Sequence, residues 1–305
     1  MTAVGTPRPL AVPELLAALE AAYRGDFAGG AGDGGVRPGT APRRRGPVLV
    51  GDGVEGVAAP ASQGGDAAGG AAAPDPPGGV SGLAVVVLAA HAGAGASTVA
   101  LALAEAAAAR AAVVVVECGE ATRSGLLGAS TAELGVDGAG WRRGRRGAVQ
   151  LARRDGPVRS LRDVPPPELP DDDATAGRVL VVDAGWPAET VLRGGGWVAS
   201  VLRGGTPVVV GRATVPGLRQ LEAVLAGVDT AAVVAVVGPA RWPGVVAAGC
   251  GDRLGAARRD GRVVAVPLHR RLEVTGVTGE PLPRPVAAAG RALWALLADG
   301  VPAEG

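Results

Sequence analysis

A glycine-rich loop is the segment of this sequence with the clearest potential for chemistry. Residues 90–98 read AHAGAGAST, after an apolar run and before an Ala/Leu-rich stretch of helical composition. A strand, a glycine loop and a helix in this order let backbone N–H groups and the helix N-terminus hold phosphate oxygens. A complete motif would read G-x-x-x-x-G-K-[ST], in which the lysine reaches the terminal phosphates and the hydroxyl binds Mg²⁺. Gly95 and Ser97 fit this motif, but Ala96 occupies the lysine position.

The rest of the sequence offers no lysine to replace the missing one. All 30 basic residues are arginine, and 29 acidic residues leave a formal net charge of +1. Such a balance gives no overall field that would mark a nucleic-acid or membrane protein. Cys118 and Cys250 are too far apart for a metal knuckle or a disulfide framework, which fits a reducing cytoplasm.

Short valine-rich runs, separated by helical segments, predict the fold that positions the loop. Continuous apolar runs are typical of parallel strands buried on both faces. The expected strands are 83–90, 112–117, 178–183, 207–211, 231–238 and 262–267. The expected helices are 97–110, 189–202, 216–227 and 285–298. The pattern predicts a doubly wound α/β domain with a mostly parallel sheet and helices on both faces.

The N-terminal quarter of the chain has a different composition. Residues 28–80 contain 16 Gly and 7 Pro in 53 residues, which is typical of a disordered linker. Before it, residues 12–24 carry apolar residues at helical spacing, so we expect a short amphipathic helix that docks on a partner or on its own domain. We therefore divide the chain into a helix region (1–27), a linker (28–80), a nucleotide-binding domain (81–300) and a tail (301–305).

Over residues 83–298 the sequence resembles the MinD/ParA family of deviant-Walker P-loop ATPases. Four landmarks occur in the family's order: the loop HAGAGAST, the strand and following loop VVVVECGEATRSGLLG, the Walker B strand RVLVVDAG, and VVAVPLHRRLEVTGVTGEPLP near the end. The resemblance implies a P-loop domain that binds ATP or ADP with Mg²⁺. It places the nucleotide at Gly93, Ala94, Gly95, Ala96, Ser97 and Thr98, its base beside Pro267 and Leu268, and the metal at Ser97 and Asp183.

Departures from the family pattern concern the charged groups. His91 stands where the family has its signature lysine, which reaches across an ATP-bound homodimer, and Ala96 replaces the Walker lysine. Glu117 could represent the first carboxylate of the family's Asp-x-Asp element, but Gly119 replaces the second. Loss of the lysine predicts about ten- to a hundredfold weaker nucleotide binding and much slower hydrolysis.

Three functions follow from these features. The first is a degenerate nucleotide-binding protein that acts as a positioning or regulatory module in pilus, secretion, conjugation or septum placement, in the cytoplasm or at the periphery of a membrane-associated machine. The second is an active partition ATPase in which Arg123 or Arg212 replaces lysine. The third is an adaptor that binds no nucleotide, whose glycine turn only packs a helix against a strand.

An arginine-rich segment at 141–162 leaves two interpretations open. Eight arginines within 22 residues could bind DNA phosphates or an acidic surface without sequence specificity. Alternatively, neighbouring acids neutralise them in a solvated loop. Six of the eight are the predicted contact residues: Arg142, Arg143, Arg145, Arg146, Arg153 and Arg154.

Overall fold

The computed structural model describes residues 82–169, 178–228 and 232–298. The strands are β1 (Ala84–Ala89), β2 (Val113–Glu117), β3 (Ala132–Val136), β4 (Trp141–Arg146), β5 (Val149–Arg154), β6 (Val179–Asp183), β7 (Thr206–Arg212), β8 (Val233–Val237) and β9 (Val263–Val266). The α-helices are α1 (Ala96–Ala107), α2 (Ala188–Arg193), α3 (Trp197–Gly204), α4 (Val215–Ala226), α5 (Gly244–Ala248), α6 (Asp252–Arg259), α7 (Arg270–Thr275) and α8 (Arg284–Ala298). Two short 3₁₀ turns lie at Ala121–Arg123 and Leu161–Asp163.

All described strands form one sheet, in the order β3-β4-β5-β2-β6-β1-β7-β8-β9. The six strands expected from the valine-rich runs are β2, β6, β1, β7, β8 and β9, and every neighbouring pair among them is parallel. The strand β5 also pairs parallel with β2. Every residue of β2, β6 and β8 is buried, because helices cover both faces. The expected doubly wound α/β class is confirmed.

Alternate residues of the central strand β1 belong to two separate cores. Val85 and Val87 pack in the core that contains α1 and α8, whereas Val86 and Leu88 pack in the core that contains α3 and α4. This is the two-residue period of a strand, with an apolar residue at every position because neither face meets water. The sheet therefore fixes the carboxyl end of β1, from which the glycine loop leaves.

Two parts of the domain differ from the sequence-based expectation. The helix expected at 189–202 is two helices, α2 and α3, separated by Gly194–Gly196. The arginine-rich segment expected to be a loop forms strands β4 and β5, which pair antiparallel, and β5 continues the sheet next to β2. The strand β4 reads WRRGRR and has no apolar pattern that would predict it.

The predicted helix 12–24, the linker 28–80 and the tail 301–305 lie outside the described residues. Within the described ranges, no helix is long and apolar enough to cross a membrane.

Candidate functional site

The glycine loop joins β1 to α1 and leaves the first amides of that helix open. Gly93 and Gly95 have φ values of 73° and 97°, a region that glycine adopts without strain. Gly95 is the N-cap of α1, and no side chain caps the helix there. The Val99 N–H donates to Gly95 O at 3.0 Å, so the N–H groups of residues 96–98 come before the helical hydrogen-bond ladder. The loop is thus open toward an anion.

A cavity of about 1110 Å³ lies over this loop. Residues 89–98 line one side, including all six predicted nucleotide-binding positions, and Asp183 lines another. Trp186 and Leu192 contribute to the opposite wall. The structure therefore brings together the loop and the Walker B position, in a space with room for a nucleoside polyphosphate.

A second cavity, of about 320 Å³, shares the loop with the first. Gly93, Gly95 and Thr98 line both cavities, and Pro267 and Leu268 line the second. The pair Pro267 and Leu268 thus shares a cavity with the glycine loop, and its role at a nucleotide base stays a prediction. His269 is half-buried in the wall of this cavity, with Nδ1 buried and unpartnered.

Two buried carboxylates face one another at the ends of β2 and β6. Glu117 and Asp183 are register partners on these neighbouring parallel strands, 2% and 1% exposed. Burial, and then the charge of Asp183, raise the pKa of Glu117 to about 7. Burial raises the pKa of Asp183 to about 6, against the lowering effects of the Ser97 hydroxyl and the Gly185 amide. Both carboxylates are therefore held in an environment that disfavours their charge.

Asp183 has the properties required of a metal-binding carboxylate. Its Oδ2 atom is buried and has no hydrogen-bond partner, and an unsatisfied carboxylate oxygen is costly to bury. Ser97 lies in the same cavity wall. A carboxylate and a hydroxyl oxygen suit Mg²⁺, which keeps several waters and bridges to phosphate. Ser97 and Asp183 therefore fit the metal role that the resemblance implied.

Glu117 has a structural role that the sequence did not reveal. Its Oε2 accepts a hydrogen bond from Ser124 Oγ at 2.5 Å, and its Oε1 accepts from the N–H groups of Gly125 and Leu126 at 2.7 and 3.1 Å. Three donors satisfy this carboxylate and hold the segment 121–127 against the loop. A Cβ at Gly125 would lie 2.3 Å from Ser97 Oγ, so this segment packs directly on the phosphate loop.

The cations near the site are arginines, and they differ in the cavity that they line. Arg123 and Arg193 are exposed and line the large cavity. Arg212 lines the second cavity, 3.5 Å from Glu273. Of the two arginines predicted as lysine substitutes, only Arg123 therefore borders the space over the loop.

His91 acts as a link between the loop and β7. Its Nδ1 lies 2.9 Å from Ala92 O, and its Nε2 accepts the N–H of Arg212 at 3.3 Å. These contacts fit a neutral ring with the proton on Nδ1. His91 thus holds the loop in place from within the protomer.

The arginines of the hairpin β4–β5 are largely compensated inside the domain. Arg142 pairs with Asp155, Arg143 with Asp137, Arg146 with Glu105 and Arg153 with Glu133. Arg154 donates to Ala139 O and lies over the Trp141 ring, 5.0 Å from its centroid. Arg145 is exposed. The compensated interpretation fits this arrangement, although as a hairpin and not as a loop, and the geometry gives no support to DNA binding.

The comparisons with known proteins concern the fold alone. No protein-family model matches the sequence, and no curated protein matches it. Among solved structures, the chain is similar to the MinC:MinD cell division protein complex of Aquifex aeolicus, at 14% identity, 73% coverage of this chain, 98% of that chain and a TM-score of 0.48. It is also similar to the septum site-determining protein MinD of Pyrococcus horikoshii complexed with Mg-ADP, at 14% identity, 70% and 94% coverage and a TM-score of 0.44. A plasmid partition protein of Borrelia burgdorferi matches at 9% identity, 72% and 99% coverage and a TM-score of 0.40.

Proposed function

We propose that this chain binds ATP or ADP with Mg²⁺ weakly, hydrolyses ATP slowly or not at all, and acts through partner proteins as a positioning or regulatory module. The observation that carries the proposal is an open helix N-terminus facing a cavity of about 1110 Å³, with the unpartnered Oδ2 of Asp183 in the same wall. A collapsed turn that only packed a helix against a strand would leave no such space.

Each binding group has a defined task. The N–H groups of residues 96–98 and the positive end of α1 attract the phosphates. Ser97 and Asp183 would hold Mg²⁺, which supplies charge neutralisation between phosphate oxygens when it is bound. The second cavity, with Pro267 and Leu268, would take the base. Nothing at position 96 places a cation on the terminal phosphate, since Ala96 ends at its Cβ.

The same geometry limits catalysis. A positioned cation on the transferring phosphoryl group supplies on the order of 10³ to 10⁵ in rate. Glu117 is occupied by three hydrogen bonds from residues 124–126 and is not free to orient a water molecule. Nucleotide state would then control which partner the protein binds. By resemblance, the setting would be a pilus, secretion, conjugation or septum-placement machine.

Substitution of Gly93 tests nucleotide binding with a matched control. A Cβ at Gly93 would meet nothing within 4 Å, and Asp and Asn both tolerate positive φ. Gly93→Asp places a carboxylate beside the phosphates, and Gly93→Asn has the same shape without the charge. Calorimetry with Mg·ATP and Mg·ADP should give a Kd of about tens to hundreds of micromolar for the wild type. Gly93→Asp should weaken binding at least about tenfold, and Gly93→Asn by less than about threefold.

A second candidate is an active partition ATPase, favoured by the two arginines that line the large cavity, Arg123 and Arg193. In that case wild-type protein would hydrolyse ATP, Arg123→Gln would abolish turnover, and ATP would induce DNA binding with a steep dependence on salt. Absence of turnover in a sample that binds Mg·ATP would support the first proposal. Absence of any heat at millimolar nucleotide would contradict both and favour the nucleotide-free adaptor.

A further inference from the structure

A third cavity lies on the far side of the segment 121–127, away from the phosphate loop. It measures about 320 Å³ and is open to solvent. Its wall contains three arginines and two carboxylates, together with Ala121, Ser124 and Leu127. The charged residues are Arg142, Arg153, Arg154, Glu133 and Asp155. Gly125 lines the large cavity, whereas its neighbour Ser124 lines this one, so the segment is a wall between the two spaces.

Arg153 is the most buried cation of this cavity, and the carboxylate that pairs with it, Glu133, lies at the surface. The Arg153 side chain is 3% exposed, whereas that of Glu133 is 48% exposed. Both Glu133 oxygens lie within 2.7 Å of Arg153 Nη2. Glu133 belongs to β3, the edge strand in which every residue is exposed. A buried guanidinium requires a counter-charge, so this carboxylate can leave, and regain its hydration, only if another anion takes its place.

Two of the arginines in the cavity wall keep a nitrogen without a hydrogen-bond partner. Arg142 and Asp155 form a partly exposed pair. Arg153 Nη1 donates to Leu126 O and Leu127 O, and Arg154 Nη1 donates to Ala139 O. Nε of both Arg153 and Arg154 is buried and unpartnered. Three guanidinium groups and two carboxylates leave one net positive charge in a concave space. Although burial alone would raise the pKa of Glu133, the hydrogen bond from Arg153 and its charge lower that pKa.

We propose that this cavity is a second anion site, which binds a phosphate or carboxylate group in exchange for Glu133. The incoming anion takes the guanidinium edge of Arg153 that Glu133 now occupies, and Arg142 adds a second charge at the rim. Bidentate pairing of guanidinium with either kind of anion provides the recognition. The site is separate from the nucleotide cavity and does not depend on whether the chain binds ATP.

The direct test uses inorganic phosphate at constant ionic strength, in the Gly93→Asp background so that the phosphate loop does not contribute. Glu133→Gln removes the competing internal carboxylate and should tighten phosphate binding about fivefold. Arg142→Gln should weaken it about tenfold. Arg145→Gln is the matched control, because Arg145 is an exposed arginine of the same strand that does not line this cavity, and it should change little.

Equal effects of Arg142→Gln and Arg145→Gln would overturn the proposal, since only general charge attraction would then remain. An unchanged affinity of Glu133→Gln for phosphate would also overturn the proposal. If Glu133→Gln lowers stability, thermal unfolding with and without phosphate provides the second measurement: phosphate should raise its Tm more than that of the parent protein. Succinate in place of phosphate distinguishes the source. Binding of succinate alone indicates a carboxylate ligand, binding of phosphate alone a phosphorylated one, and binding of neither overturns the site.

Discussion

Restoring the missing lysine should strengthen nucleotide binding by a measurable amount. Ala96 is the first residue of α1, half-buried in the wall of the large cavity, so a longer side chain there can extend into open space. A charge-assisted hydrogen bond from Ala96→Lys to phosphate contributes about 1.5–3 kcal/mol. A cation at a helix N-terminus loses about 0.3–1 kcal/mol to the helix dipole. The net gain of about 0.5–2.7 kcal/mol corresponds to about two- to ninetyfold tighter binding.

Calorimetry with Mg·ADP measures this gain, and Ala96→Met is the control of similar length without charge. The lysine variant should bind within the expected range, and the methionine variant should match the wild type within about threefold. Equal gains from lysine and methionine would show that packing is responsible and not charge. No gain from lysine would refute the reasoning, because the loop amides would then not face the phosphates.

Two further predictions concern stability. The pKa values of Glu117 and Asp183 are raised in the folded state, so the folded state binds more protons than the unfolded state between about pH 4 and 7. The free energy of unfolding should therefore fall by about 1–3 kcal/mol from pH 5 to pH 8. Urea unfolding at both pH values should show a smaller fall in Asp183→Asn, and an equal fall would contradict the assignment. A Cβ at Gly290 would lie 2.2 Å from Ala102 O, so Gly290→Ala should destabilise the packing of α8 on α1 by about 1–3 kcal/mol. Gly255→Ala, in a helix with room for a Cβ, should stabilise by about 0.5–1 kcal/mol.

The valine runs and the glycine loop could be predicted from the sequence because their signals are local. A run such as 179–182 is apolar at every position only if both faces of its strand are covered, and a strand, loop and helix in succession fix the position of the loop. The patterns alone did not bring Ser97 and Asp183 together, which the resemblance implied and the pairing of β1 with β6 explains.

The hairpin could not be predicted in the same way, because its stability depends on distant partners. Arg146 is buried by hydrogen bonds to carbonyl groups of Ala129, Thr278 and Glu280 and by its pair with Glu105. An arginine is buried only when such partners converge on it, and their convergence depends on the path of the whole chain.

The sequence by itself determined the α/β class, the place of the phosphate loop and the loss of its lysine, since each depends on the order of residues along a short stretch. Only the tertiary structure decided that Glu117 anchors the segment 121–127 and that Arg153 lies opposite a half-exposed Glu133. Arg153 and Glu133 lie on strands that are not consecutive in the chain, and the contacts of Glu117 depend on how the following loop folds back. Their electrostatic energy depends on distance and burial, which residue type and spacing do not specify.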